Sequence, residues 1–244
     1  GFESFPGAAR TVKDATEIRS IERAAEITNE ILEMIRAMLS RPGGADGVRE
    51  IDIAQLIQRE ALARGAEGLG FETLAAGPAR SWGIHAFPSS SAGPFATEGL
   101  SILDFGVMVD GYTSDVTLTV ARGRLSREQE RLVSLVEEAY GVAMEAAQPG
   151  ATPQAVAARV DQVFTAAGVR MPHSLGHGIG IETHENPVLR TAGDVNEAPL
   201  SEGMVFTIEP GLYDPKLGGV RWENDVLITA KEARVLTRAE IIRI

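Results

Sequence analysis

The sequence predicts an α/β (α+β) fold built from two similar halves, each a pair of helices followed by a β-rich segment. Apolar residues recur at the helical period in four stretches, and a Pro-Gly stop divides each pair: "RPGG" at 41–44 and "QPG" at 148–150. Two segments of one pattern follow, "EGLSILDFG" (98–106) and "EGMVFTIEPG" (202–211). Both run Glu-Gly, apolar residues, an acid, then glycine. Each leads into a return segment carrying a further acid, "GYTSDVTLTV" and "GVRWENDVLIT". Repetition of this order reads as an internal duplication, with halves at about 12–121 and 124–230.

Taken in order, the opening "GFESFPGAARTVKD" has no basic-then-apolar signal pattern. Residues 1–11 read as a linker, as if trimmed from something upstream, and 12–244 as one domain. Asp14 and Glu17 form the start signal of a first helix, whose buried face is Ile18, Ile21, Ala25, Ile31, Leu32, Ile35 and Leu39. "REIDIAQLIQREALARG" is a second helix ending at Gly65. In the second half Ser126 and Gln129 make a capping box. Thr152 then suits an N-cap, and Pro153 the first position of the fourth helix.

Composition narrows the function. The 244 residues are 44% hydrophobic, which suits a globular core. No apolar run approaches the roughly 20 residues of a membrane span. A net charge of −11 repels nucleic-acid phosphates and anionic membrane surfaces. Zero cysteines exclude disulfides, thiolate metal ligands and cysteine nucleophiles, and fit a cytoplasmic protein.

The acids carry the chemistry. Asp110-Gly111 between apolar runs signals a two-residue hairpin. That turn pairs Val109 with Tyr112, Gly106 with Asp115 and Asp104 with Thr117. Asp104 and Asp115 then share a sheet face, diagonally separated by roughly 7–8 Å. Buried like charges this close require protonation or cations between them. If the duplication is real, Glu209 mirrors Asp104 and Glu223 mirrors Asp115, gathering four carboxylates at the seam. The longer loop around "DPKLGG" leaves the register of Glu209 against Glu223 open. Arg221 shares the Glu223 face, placed for a salt bridge or for a substrate carbonyl or carboxylate.

Three of the four histidines fall in "HSLGHGIGIETHENP" (173–187): His173, His177 and His184; the fourth is His85. Glycines at 176, 178 and 180 argue against a helix there and suggest backbone packed closely against something, with the histidines positioned by strand or loop. Four carboxylates and an imidazole suit Mn²⁺, Co²⁺, Fe²⁺ or Zn²⁺ better than copper. Four negative charges balance two divalent ions, spaced roughly 3.5–4 Å and bridged by hydroxide.

With these residues in view the chain resembles the pita-bread metallopeptidases: methionine aminopeptidase, aminopeptidase P and prolidase. The carriers are "LDFG…GYTSD", "HSLGHGIGIETHENP", "FTIEPGLY" and "RWENDVLIT", in family order from about Val12 onward. The resemblance implies two pseudo-symmetric ααβ halves, with a curved, mainly antiparallel sheet covered by helices. It implies two divalent metals, Mn²⁺ by preference. Asp104 would hold one, His177 and Glu209 the other, with Asp115 and Glu223 bridging. It implies His85 near the reacting amide, His184 on the scissile carbonyl, and Glu209 as proton carrier to the leaving amine. His173 and Arg221 match the proline-specific branch and imply contacts on the proline side of the substrate. The reaction implied is hydrolysis of the Xaa-Pro bond in dipeptides or short peptides, by a homodimer. Methionine aminopeptidase is the nearest alternative. A catalytically inactive peptide- or protein-binding module is the alternative of another class; such proteins generally lose ligands, and this chain retains all five. A metal-free creatinase-like amidinohydrolase is disfavoured for the same reason.

Overall fold

A computed structural model describes residues 9–192 and 198–244. Most of the proposed linker, residues 1–8, lies outside the described residues. Four long helices form where the periodicity places them: α1 (Ala15–Leu39), α2 (Glu50–Ala63), α3 (Arg127–Ala146) and α4 (Pro153–Ala166). Their start signals work as read. Asp14 accepts the Thr16 and Glu17 N–H groups while Glu17 reaches back to the Asp14 N–H. Ser126 and Gln129 do the same for α3, and Thr152 accepts the Ala155 N–H for α4. Arg49, before α2, makes no side-chain cap. The Glu50 and Ile51 N–H groups are met instead by the carbonyls of Gly93 and Ser91.

The strands build two principal sheets. One contains β2 (Leu74–Ala76), β3 (Gly99–Phe105), β6 (Val116–Arg122) and β14 (Ile241–Arg243), in the order β14-β6-β3-β2. The other contains β7 (Gly176–Gly178), β8 (Glu185–Leu189), β9 (Val205–Ile208), β12 (Asn224–Ile228) and β13 (Ala233–Val235), in the order β13-β12-β9-β7-β8. Every pairing is antiparallel except β14 on β6. An antiparallel bridge between Thr117 and Glu223 joins the sheets at a seam. The two halves that the pattern predicts are present, in the pita-bread arrangement that the resemblance implies, with α1 and α2 over the first sheet and α3 and α4 over the second.

Each sheet extends into a hairpin. β4 (Val107–Val109) and β5 (Tyr112–Thr113) pair Val109 with Tyr112, and beyond them Asp104 pairs with Thr117, as the Asp-Gly turn requires. The ladder is interrupted at Gly106 and Asp115. Asp110 and Gly111 both adopt positive φ, 50° and 77°, the conformation such a two-residue turn needs. A short β1 (Gly68–Leu69) lies against β4. In the second half β10 (Gly211–Asp214) pairs with β11 (Gly218–Arg221), Gly211 facing Arg221. Asn224 faces Ile208 in the same register, so Glu223 falls opposite Glu209. The register that the sequence left open is therefore direct, not diagonal as for Asp104 and Asp115. Glu223 sits between β11 and β12 rather than inside a strand. No helix among the described residues is long and apolar enough to cross a membrane.

Candidate metal centre

Alternation along the extended segment "RWEND" divides its work between two faces. Trp222 stacks on Tyr140 of α3 at 4.1 Å between ring centroids, and Asn224 is clamped by Tyr140, Thr237 and Ala239. The intervening Arg221, Glu223 and Asp225 face the seam, all buried. Asp104 is the penultimate residue of β3, Asp115 precedes β6 and Glu209 follows β9. His177 is the centre of β7. Ligand atoms of Asp115, His177 and Glu223 lie within 4.8 Å of one another. His177 Nε2 is 3.4 Å from Glu209 Oε1 and 3.7 Å from Asp115 Oδ2.

Electrostatics points to a cation among these groups. His177 Nδ1 is hydrogen-bonded to the Gly178 carbonyl at 3.2 Å, which assigns its proton to Nδ1 and leaves the Nε2 lone pair facing carboxylates. Burial, then the neighbouring His184, lowers the His177 pKa to about 4, so it is neutral. Burial, then Glu223, raises Asp115 and Glu209 well above the carboxylate range. Burial, then Asp104, raises Glu223 to about 7. Lone pairs converging on lone pairs, with acids driven to hold protons, is an unfavourable arrangement that a divalent cation resolves. Asp104 adds to it. Arg221 Nη2 donates to its Oδ2, while Oδ1 is buried with no partner. A buried orphan carboxylate oxygen beside this set fits a metal.

Arg221 stays cationic. Burial opposes its charge, but Tyr213, Asp104, Glu223 and Glu209 hold its pKa well above the usual value. It donates from Nε to Thr117 Oγ1 (2.8 Å) and from Nη1 to Tyr213 Oη (2.9 Å). The Thr117 hydroxyl in turn donates a hydrogen bond to Glu223 Oε2 at 2.6 Å. Tyr213 Oη lies 3.0 Å from His173 Nε2, while His173 Nδ1 bonds the Ser174 carbonyl at 2.8 Å. Burial, then Arg221, lowers His173 to about 4. The neutral ring thus donates from Nδ1 and accepts the Tyr213 hydroxyl at Nε2. Both ring nitrogens of His173 are occupied, so an additional substrate bond there requires one of them to be given up.

A cavity of about 460 Å³ opens onto these groups, and His85, His173, His177, His184, Asp104 and Arg221 all reach it. His184 rests against His177 with ring centroids 4.1 Å apart. His85 stands at the exposed mouth, on the loop between β2 and β3. All nine residues singled out from the sequence meet at this one cavity. Sequence reasoning missed Tyr213, Thr117, Thr207, which bonds Glu209 at 3.4 Å, and Asp225, which accepts the Asp115 N–H at 3.1 Å. Tyr213 and Asp225 lay within the quoted motifs "FTIEPGLY" and "RWENDVLIT"; the period-two spacing 221, 223, 225 was the available signal for Asp225. Gly176 and Gly178 mark close backbone packing on either side of His177. A Cβ at Gly176 would lie 1.9 Å from the Thr207 carbonyl oxygen, and one at Gly178 2.1 Å from that of Asn186. They are small because neighbouring backbone passes there.

Two sheets meeting at a seam of carboxylates and one neutral imidazole define a pita-bread metal centre. The chain belongs to metallopeptidase family M24, whose sequence pattern matches residues 19–230. It is 37% identical to the Xaa-Pro dipeptidase of Pyrococcus furiosus over 235 residues, 95% of this chain and 64% of that protein. It is 35% identical to a putative dipeptidase of Bacillus subtilis over 94% of this chain and 61% of that one. The structure is similar to the X-Pro aminopeptidase of Thermotoga maritima, with a TM-score of 0.87 at 32% identity, covering 100% of this chain and 68% of the other. The chain therefore spans less than two thirds of the length of these two curated relatives.

Proposed function

We propose that this chain hydrolyses the Xaa-Pro bond at the N-terminus of dipeptides or short peptides, with residues 12–244 as the catalytic unit. The observation that carries the reading is the convergence of Asp115, His177 and Glu223 beside the Arg221–Tyr213–His173 wall. Similarity to dipeptidases and to an X-Pro aminopeptidase supports the proline-specific branch over methionine aminopeptidase.

Asp104, Asp115, His177, Glu209 and Glu223 would hold two divalent ions, Mn²⁺ by preference. Bound there, the metal supplies Lewis acidity and lowers the pKa of water toward neutrality. The chain's own groups do the rest. As a carboxylate Glu209 takes a proton from the attacking water, and its raised pKa suits it to hold that proton until it is delivered to the proline nitrogen. His184 donates to the carbonyl oxygen as it becomes an oxyanion. The wall from Arg221 to His173 shapes the proline side, and His85 lies toward the reacting amide. A tertiary Xaa-Pro amide has no N–H to offer, so recognition rests on shape and on the carbonyl. A homodimer in the cytoplasm accompanies this reading.

The test is Mn²⁺ reconstitution followed by assay of Leu-Pro, Leu-Pro-Ala and Met-Ala-Ser. Turnover of the proline peptides above Met-Ala-Ser supports the proposal, and their ratio separates dipeptidase from aminopeptidase. Preference for Met-Ala-Ser would overturn it in favour of methionine aminopeptidase. Absence of turnover with less than one bound metal per chain would favour the binding-module alternative.

A further inference from the structure

Outside the cavity, one buried ion pair ties the segment before α1 to the loop that carries His184. Lys13 Nζ lies 3.0 Å from Glu185 Oε2, with only 1% and 5% of the two side chains exposed. A buried ammonium is costly unless paired. Burial lowers the Lys13 pKa, and the Glu185 charge pulls it back up. Capping does not explain the lysine, because Asp14 and Glu17 already cap α1.

Glu185 in turn shapes the loop. Its Oε1 accepts the Glu182 N–H at 3.1 Å, closing residues 182–185 into a turn that contains His184. Its carboxylate also crosses Gly180, where a Cβ would come within 2.6 Å of Oε2. The anchor end is fixed by backbone: the Lys13 N–H donates to the Gly203 carbonyl at 2.9 Å, and Val12 bridges Met204. Arg10 also reaches this loop, pairing with Glu182, but those side chains are 36% and 66% exposed. An exposed pair of that kind contributes little. His184 itself makes no hydrogen bond among the described residues; its ring only leans on His177. Its orientation is inherited from the turn that holds it.

We propose that Lys13 is a positioning residue for His184, acting through Glu185 from outside the cavity. The proposal rests on the reading above for the role of His184, but not for its placement. Two readouts keep these apart. The first is the imidazole ¹H–¹⁵N resonances of His184 in metal-free protein, assigned with His184→Gln. The second is steady-state kinetics of the Mn²⁺-reconstituted enzyme on Leu-Pro. Lys13→Met is expected to shift the His184 resonances and to lower kcat by roughly tenfold or more, with KM and metal content little changed. Glu185→Gln keeps the contact to the Glu182 N–H but gives up the charge, and moves both readouts the same way, less far. Lys13→Arg, which keeps the cation, restores most of both. Arg10→Ala changes neither.

His184 resonances and kcat at wild-type values in Lys13→Met would overturn the proposal, whatever the variant's Tm. Should that variant fail to fold, Glu185→Gln decides on the same readouts. Should the wild type turn over no Xaa-Pro peptide, the peptidase reading fails, while the resonances still decide whether Lys13 sets His184.

Discussion

The two halves share a frame but not a workload. In the first, Leu74 on β2 faces Asp104; in the second, the Leu175 carbonyl takes the Glu209 N–H. Two residues further along, His177 holds the place that Ala76 holds in the first half. Both halves thus present acids to the seam, but only the second supplies an imidazole from its sheet. The first supplies His85 from the long loop between β2 and β3. The hairpins diverge likewise. Tyr112 on the first donates to Glu17 of α1 at 2.8 Å, whereas Tyr213 on the second hydrogen-bonds Arg221 and His173, which line the cavity. A duplicated frame fixes where side chains point; the chemistry is then divided by local substitution.

The largest expected effects fall where the halves agree. Asp115→Ala and Glu223→Ala each remove one acid at the seam, one from each half. Both are expected to lower Xaa-Pro turnover by more than about a thousandfold and to lose bound metal, with far-UV circular dichroism near native. Metal content by elemental analysis is the check. Full metal occupancy in either variant would break the equivalence of the two halves.

Where the halves diverge, the matched tyrosines sharpen the contrast. Tyr213→Phe removes a hydroxyl that joins a cation to a neutral imidazole, worth about 1.5–3 kcal/mol. A roughly 10- to 100-fold fall in kcat/KM is expected. Tyr112→Phe removes a hydroxyl of the same kind from the other hairpin and is expected to leave kcat/KM unchanged. Equal losses in the two variants would mean that the first hairpin also serves the site.

The loop carrying His85 gives the next effect. Glu50, 1% exposed, accepts from the Gly77 and Ser91 N–H groups (2.8 and 2.9 Å), from Ser91 Oγ (2.5 Å) and from Arg80. Its place in the second half is taken by no comparable hub, because Thr152 caps α4 from its own side chain. Glu50→Gln leaves the Arg80 charge and one donor without an acceptor. It is expected to cost about 2–3 kcal/mol in urea unfolding and to depress turnover through His85.

The acids at the seam also set a pH dependence. Glu223 titrates near 7 in the folded chain, above its unfolded value, so the folded state binds more protons than the unfolded state between those values. Its contribution is present at low pH and lost as pH rises through about 7. His173 and His177, lowered to about 4, act oppositely but only below the unfolded histidine value of about 6.5. From about pH 6.5 to 8 the acids therefore act alone. The Tm of metal-free protein is expected to fall across that window, and Mn²⁺ to suppress the fall. A flat or rising Tm in chelator would show that the seam acids are already ionised without metal.

Much of the frame was legible because its signals are local. The Asp110-Gly111 turn set the register of the first hairpin, and the Asp14, Ser126 and Thr152 starts each act within three residues. Asp104, Asp115, Glu209 and Glu223 were legible because acids on apolar strands are costly and recur in both halves, whereas His177 stood out through its glycine-rich segment and the family resemblance. Tyr213, Glu50 and Lys13 were not. Each looks ordinary in sequence: a strand tyrosine, a first-turn helix acid, a lysine before a cap. Lys13 gains its meaning from a partner 172 residues away, and Glu50 from a loop up to 41 residues on. No periodicity records such contacts.

The smallest effect tests the comparison at the helix starts. Thr152 caps α4 with its own hydroxyl, whereas α2 begins at Arg49 and borrows carbonyls from Ser91 and Gly93. Thr152→Ala is expected to cost about 1 kcal/mol in urea unfolding, with kcat on Xaa-Pro peptides unchanged. The corresponding start of α2 cannot be weakened in that isolated way, because its cap is the loop that carries His85. Disturbing Ser91 or Gly93 should therefore lower stability and turnover together. If Thr152→Ala also lowered turnover, helix starts in both halves would be coupled to the site, and the division between a structural second-half cap and a functional first-half cap would fall.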